Sequence, residues 1–161
     1  MSSGIKSVFV LGLGKVGSLV GTLLHETGFE VTGAACKAPA GFPCLTKRLD
    51  LSTTDELTER RKGFDAVVSC LPYHFNLRVA TAAHELGIHY FDLTEDVPTT
   101  KAILKLSETA RGVMAPQCGL APGFIAIVGA SLAENFTKIR SIKLRVGALR
   151  HPQHQAARHQ R

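Results

Sequence analysis

What this chain lacks narrows its chemistry before any motif is considered. No apolar stretch approaches the roughly 20 residues that a membrane-spanning helix requires, and the opening MSSGIK has none of the basic-then-apolar pattern of a secretion signal. A soluble, cytoplasmic chain with no membrane partner is expected. None of the four cysteines, Cys36, Cys44, Cys70 and Cys118, stands in C-x-x-C spacing. In a domain large enough to build its own core they read as reduced thiols rather than a disulfide frame or a zinc site. Acidic residues are missing from the end of the chain: up to Thr137 there are 12 basic and 13 acidic residues, and from Lys138 onward seven Lys or Arg and no acid. The net charge of +6 therefore belongs wholly to the terminal stretch. Aromatic residues are also absent after Phe136. A basic tail without rings to stack a base supports only non-specific attraction to phosphate polymers, so no nucleic-acid function is expected.

The 161 residues, 45% of them hydrophobic, suffice for one domain with a real core. Val8–Leu11 is an apolar, β-branched run of the kind found in a strand buried on both faces of a parallel sheet. Val16, Leu19, Val20, Leu23 and Leu24 then recur at the spacing of one helical face. Between strand and helix, Gly12, Gly14 and Gly17 match G-x-G-x-x-G, with Lys15 and Val16 inside the motif. In that setting each glycine has its own steric role, with a sharp turn at Gly12, close approach of a pyrophosphate at Gly14, and tight helix–strand packing at Gly17. A glycine-rich turn with no ligand is the plainer alternative.

Further along, Val31–Ala34 reads as a second strand and Lys47–Leu51 as a short third one. Ser52 and Thr53 precede Asp55 and Glu56 by three residues, a capping-box arrangement that predicts a polar helix over Thr54–Lys62. Asp65–Pro72 is an apolar strand ended by proline. A helix face follows through Phe75, Val79, Ala82, Ala83 and Leu86, closed by Gly87. Ile88–Leu93 predicts another strand, with a helix opening at Pro98 and running to about Ala110. Gly112–Cys118 reads as a strand interrupted by Pro116, Phe124–Leu132 as a helix apolar nearly all round, and Ser141–Leu149 as a half-exposed strand. Residues 150–161, RHPQHQAARHQR, carry no large apolar side chain and are expected to be disordered. His151, His154 and His159 in that tail have no flanking acid or thiol, so no metal site is expected.

Strands alternating with helices at this spacing predict a Rossmann-type, doubly wound parallel sheet with helices on both faces and ligands at the carboxyl ends of its strands. The candidate site is then a ring of strand-end loops: Gly12–Gly17, Ala35–Lys37, Asp50, Ser69–Pro72, Thr94 and Gly119–Gly123. A site for NAD usually has an acid after the second strand to bond the ribose 2′-hydroxyl. Here no carboxylate lies between Glu30 and Asp50, and the expected place reads Ala35-Cys36-Lys37. A lysine there suits a 2′-phosphate and favours NADP over NAD. The alternative for Lys37 is a solvated loop residue.

With VFVLGLGKVGSLVGTLL, DAVVSCLPYHFN (Asp65–Asn76), HYFDLTED (His89–Asp96) and PQCGLAPGF (Pro116–Phe124) in this order, the chain resembles the cofactor domain of the saccharopine dehydrogenase family, including its lysine dehydrogenase-like members. The resemblance covers nearly all of Ile5–Leu149. It implies NAD(P)-dependent oxidation or reduction at the carbon–nitrogen centre of an amino acid. It places Ser69, Cys70, Leu71 and Pro72 beside the dinucleotide and Asp50 near its adenine side. Asp92, Thr94, Gly119, Pro122 and Gly123 fall near the nicotinamide. Packing offers other readings: Cys70 as a buried thiol, Asp92 as a strand-end cap, Pro122 as the first residue of a helix. Family members continue into a second domain that binds the amino acid. Residues 1–149 would thus be the cofactor domain and 150–161 a basic tail, with the substrate domain absent and catalysis incomplete. His74 is the weak candidate for proton transfer, because imidazole titrates near neutral pH; a surface histidine at a helix start is the alternative. A stand-alone nucleotide-sensing module is the second functional reading. An uncovered Phe124–Leu132 helix would favour a homo-oligomer.

Overall fold

The computed structural model describes residues 4–37, 39–48 and 63–147. Asp50, residues 49–51 of the expected third strand, the expected helix over Thr54–Lys62 and the histidine-bearing tail lie outside the described residues. The elements in order are β1 (Ser7–Leu11), α1 (Lys15–Glu26), β2 (Glu30–Ala35), β3 (Leu45–Arg48), β4 (Ala66–Ser69), a 3₁₀ turn (Tyr73–Phe75), α2 (Asn76–Leu86), β5 (His89–Asp92), α3 (Val97–Ser107), β6 (Met114–Ala115) and α4 (Phe124–Ala133). The six strands form one sheet in the order β3-β2-β1-β4-β5-β6, with every pairing parallel. This is the doubly wound Rossmann order, which reverses direction between β1 and β4.

β1 shows why the sheet is central. Alternate side chains enter opposite faces of a strand, and here both faces are covered. Phe9 and Leu11 pack with Val67, Val79, Ala83, Tyr90 and Ile103 on the side of α2 and α3. Val8 and Val10 join Leu13, Val31 and Ala66 on the side of α1. Phe64 extends the first cluster, stacking on Phe9 at 4.9 Å between ring centroids.

α1 forms as its spacing predicts and half-buries Val20 and Leu24, the latter packed on the core. Val16, Leu19 and Leu23 are exposed, and the residues wholly buried are Gly17 and Gly21. Two glycines one turn apart remove the side chains that would hold the helix off the sheet, so its small face sits inward. α2 ends at Gly87 in the left-handed conformation, φ 70°. α3 begins at Val97, capped by Asp96, whose carboxylate accepts the Thr99 amide at 2.9 Å.

Three other expectations are corrected. β3 is Leu45–Arg48, beginning two residues before the expected start. β6 is only Met114–Ala115, because the proline at 116 cannot donate to the ladder. Residues 141–147 form no strand, and 148–149 of that expected strand lie outside the described residues: Ile142, Leu144 and Val146 have the right period but pair with no strand, Leu144 lying instead beside Gly129 of the last helix, and all three stay exposed. α4 exposes Phe124, Ile127 and Leu132 and buries only Gly129. Among the described residues no helix is long and apolar enough to cross a membrane.

Candidate dinucleotide site

The glycine loop lies where the strand order reverses, against the loop that follows β4. Gly12 turns the chain with φ +87°, a conformation costly for any side-chain-bearing residue. A Cβ there would also come within 2.9 Å of the Cys70 carbonyl oxygen and of Leu71 Cδ2. Gly17 is tighter: its Cβ would run into the Gly12 carbonyl oxygen and approach Cys70 Cβ to 3.1 Å. Gly14 is different. A Cβ there meets nothing within 4 Å, so its lack of a side chain opens space and serves no packing.

That space is at the start of α1. Gly14 is the N-cap and supplies no side chain to cap the helix, and the first turn contains no acidic residue. Free amides with the positive end of the helix dipole favour an anion at this position. A groove of about 320 Å³ runs outward from it, lined by Gly12, Leu13, Gly14, Ala34, Ala35, Cys36, Lys37 and Leu71. Glycine loop, helix start, groove and lysine together fit the phosphates and adenosine half of a dinucleotide.

The loops after β4, β5 and β6 meet in a buried polar network centred on Asp92. Its carboxylate accepts the Tyr90 hydroxyl at 2.6 Å, the Thr94 amide at 2.9 Å and the Gln117 amide at 3.1 Å. The Asp92 carbonyl accepts the Cys118 amide at 2.7 Å. Ser69 donates to Asn76 Oδ1 at 2.7 Å, and the Tyr90 hydroxyl lies 3.3 Å from the Asn76 carbonyl. Asp92 and Ser69 are fully buried and Thr94 nearly so, so all three turn into the protein and brace the rim. Spacing on the strand carries part of this signal: Tyr90 and Asp92, two apart, share one face of β5. Asn76 and Gln117, the latter at φ +65°, were not foreseen, since their partners come from distant strands.

Cys70 packs between the glycine loop and α1, and burial pushes its thiol up to about 11. Leu71 borders the groove, and exposed Pro72 leads into the 3₁₀ turn that carries exposed His74, whose ring lies 4.2 Å from that of Phe75. The last loop closes on itself: Gly119 and Gly123 form a bridge, the Phe124 amide reaches the Gly119 carbonyl at 2.8 Å, and a Cβ on Gly123 would run into Gly119. The Ala121–Pro122 bond is cis. Pro122 is not the first helical residue, because α4 starts at Phe124 with Gly123 as its cap. Among the described residues no three His, Cys, Asp or Glu side chains gather as a metal site.

A parallel sheet in this order, with a glycine turn and an uncapped helix start at its reversal point, defines a dinucleotide-binding domain of the doubly wound class. The family model described as saccharopine dehydrogenase NADP binding domain matches residues 8–115, and the chain belongs to that family. Its cofactor class is accordingly NADP or NAD. Among solved structures, the apo, histidine-tagged saccharopine dehydrogenase (L-Glu forming) from Saccharomyces cerevisiae is similar with a TM-score of 0.64 and 21% identity, over 80% of this chain and 31% of that one. MoeE5 in complex with UDP-glucuronic acid and NAD gives 0.55 and 17%, over 66% and 52%. Myo-inositol 2-dehydrogenase from Lactobacillus plantarum gives 0.52 and 16%, over 66% and 34%. At these identities the likeness is one of fold. The chain spans 31% of the yeast enzyme's length.

Proposed function

We propose that this chain is the NAD(P)-binding domain of a saccharopine or lysine dehydrogenase-like oxidoreductase that acts at the carbon–nitrogen centre of an amino acid. The observation that carries the proposal is the contrast between the glycines: Gly12 and Gly17 are closed by packing, while Gly14 is open at an uncapped helix start. In this reading Gly12, Gly14, Lys15, Val16 and Gly17 hold the pyrophosphate through backbone amides. Cys36 and Lys37 border the adenosine ribose, with Asp50 beyond them. Ser69, Cys70, Leu71 and Pro72 flank the middle of the dinucleotide. Thr94, Gly119, Pro122 and Gly123 frame the nicotinamide side, which Asp92 fixes from behind. When bound, the nicotinamide supplies hydride chemistry; the chain's own part is to bind, orient and exclude water.

The same proposal assigns residues 1–149 to the cofactor domain and leaves the amino-acid site to a second domain. Catalysis is then incomplete in this chain alone, and His74 stands on the rim with no assigned proton. A cytoplasmic location and self-association through the exposed apolar side of α4 belong to the proposal as well. Calorimetric titration of the purified chain with NADPH and with NADH tests it. Binding of either supports a working cofactor domain. A folded chain that binds neither refutes the reading.

A further inference from the structure

α4 and the stretch after it enclose a cup of about 410 Å³ lined by apolar side chains and cations together. Leu132 of α4 and Ile139, Ile142 and Leu144 of the following segment are its apolar lining, and Lys138, Arg140 and Lys143 its cations. Gly129 lets the segment close on the helix, because a Cβ there would come within 2.9 Å of Leu144 Cδ2. The apolar side chains are far from covered: Phe136, beside the cup, is 66% exposed, Leu132 61% and Ile142 55%. Lys138, Arg140, Lys143 and Arg145 are exposed as well. Glu134 is the one acid in the sequence from Phe124 to Gly147.

We infer that this patch is a docking surface for an anionic phospholipid bilayer, with the four cations against the headgroups and Leu132, Phe136, Ile139 and Ile142 at the boundary with the acyl chains. Exposed apolar side chains gathered in one place call for burial, and four cations beside a single acid call for a dense negative surface. A phosphate polymer meets the charge and leaves the apolar side chains wet. A second copy of the chain meets the apolar side chains and sets cation against cation. An anionic bilayer supplies headgroup charge and, ~5–10 Å deeper, an apolar boundary. Lysine and arginine suit that layering, since their stems lie along apolar surface while their charged heads stay in water. The expectation of no membrane partner rests on spanning length, and lying on a bilayer requires no span. Phe124 and Ile127, at the start of α4, do not line the cup, so self-association there and docking here draw on different residues. None of this depends on the dinucleotide reading.

The test is co-flotation of the full chain with vesicles of phosphatidylcholine alone and of phosphatidylcholine mixed with phosphatidylserine. The parent should bind the mixed vesicles at least about tenfold more tightly than the neutral ones, and high salt should release it. Each cation near the surface is worth about fivefold, so Lys138→Gln, Arg140→Gln and Lys143→Gln combined should weaken binding by about a hundredfold. Phe136→Ser with Ile142→Ser keeps every charge and should weaken binding at least about tenfold, through lost burial. All five positions are exposed, and thermal unfolding by circular dichroism should show the parental Tm in both variants. A parent that ignores the mixed vesicles, or binds neutral and mixed ones alike, overturns the inference. So does parental binding in the triple variant, which leaves the other basic residues of the chain as the attractor. Parental binding in the Phe136→Ser, Ile142→Ser variant overturns it too, because charge alone then suffices, as it would for polyuridine or any phosphate polymer. A parent that dimerises in sedimentation while the Phe136→Ser, Ile142→Ser variant stays monomeric assigns the patch to a second copy, with the same consequence.

Discussion

Replacing Gly14 and Gly17 separately by alanine separates binding from folding. At Gly17 the change gains about 1 kcal/mol of helix propensity. Against that, the new methyl runs into the Gly12 carbonyl oxygen, with Gly12 C at 2.9 Å and Cys70 Cβ at 3.1 Å. Overpacking against backbone sits at the upper end of the usual ~1–3 kcal/mol, so a net loss of ~2 kcal/mol is expected. For a chain of this length that lowers Tm by about 4–8 °C. At Gly14 the methyl enters open space and the backbone, φ −73°, tolerates it. The stability cost is that of a poorer N-cap, below ~1 kcal/mol. The methyl does occupy the approach to the first amides of α1, and losing one charge-assisted hydrogen bond there costs ~2 kcal/mol, about thirtyfold in affinity. Thermal unfolding by circular dichroism and calorimetry with NADPH measure the two quantities. Parental affinity in Gly14→Ala would refute the placement of phosphate over Gly14. A Tm loss larger in Gly14→Ala than in Gly17→Ala would refute the packing argument.

Other perturbations probe the rim and the base of the sheet. Asp92→Ala strands the Thr94 and Gln117 amides and leaves the Tyr90 hydroxyl only the longer bond to the Asn76 carbonyl among those described above, a loss of ~3 kcal/mol and about 6–12 °C in Tm; Asp92→Asn, which keeps an acceptor, should lose less, and an unchanged Tm in Asp92→Ala would sink the bracing role. Cys70 is held above its ordinary value of 9.0, at about 11, by burial. The stability that comes from keeping it neutral is complete below 9.0 and fades as pH rises toward about 11. At neutral pH, iodoacetamide followed by mass spectrometry should leave Cys70 unmodified while exposed Cys36 reacts, and equal labelling would count against the burial. Asp65 is held below its ordinary 3.8, first by the Ser7 amide, then by the Lys6 amide and the Ser7 hydroxyl. Its contribution is complete above 3.8 and is lost as pH falls through the lower folded value. Asp65→Asn should flatten the decline of Tm on acidification, and an unaltered slope would contradict the assignment.

The strands and helices of the central layer were legible because each is a local pattern. Val8–Leu11 is apolar without interruption, and Gly87 and Asp96 are end signals readable one residue at a time. Legibility failed where a neighbour decides the outcome. Of the α1 stripe of Val16, Leu19, Val20, Leu23 and Leu24, the structure half-buries Val20 and Leu24 and leaves the other three exposed, because Gly17 and Gly21 take the innermost side and bring the helix close to the sheet. Ile142, Leu144 and Val146 alternate like a strand, but alternation does not supply an edge to pair with. Within the site, the three glycines were read with their separate roles from spacing. The partners of Asp92 were not, since Gln117 and Asp92 are 25 residues apart and meet only through the pairing of β5 and β6.

The rim owes its rigidity to the sheet itself. Three of the strand-end loops are tied back to a neighbouring strand: Gly12 donates to the Ala34 carbonyl at 2.8 Å, Cys70 to Leu11 at 2.8 Å, and Cys118, three residues past β6, to Asp92 at 2.7 Å. Those residues are therefore held by the sheet. Fixing a residue's backbone costs about 1–2 kcal/mol, and in these loops folding has already met that cost. A ligand that bonds to the neighbouring open amides at the start of α1, which the turn at Gly12 holds in place, loses little affinity to ordering the protein. The two ends of the groove differ in this respect: Gly12 is tied to β2, while Cys36 and Lys37 lie beyond the last paired residue, Ala35. On the proposed reading, pyrophosphate recognition falls on preformed backbone, and the choice between NADP and NAD falls on the side chain of Lys37. Lys37→Ala should change which cofactor binds while leaving the capacity to bind one, and calorimetry with NADPH and NADH measures both.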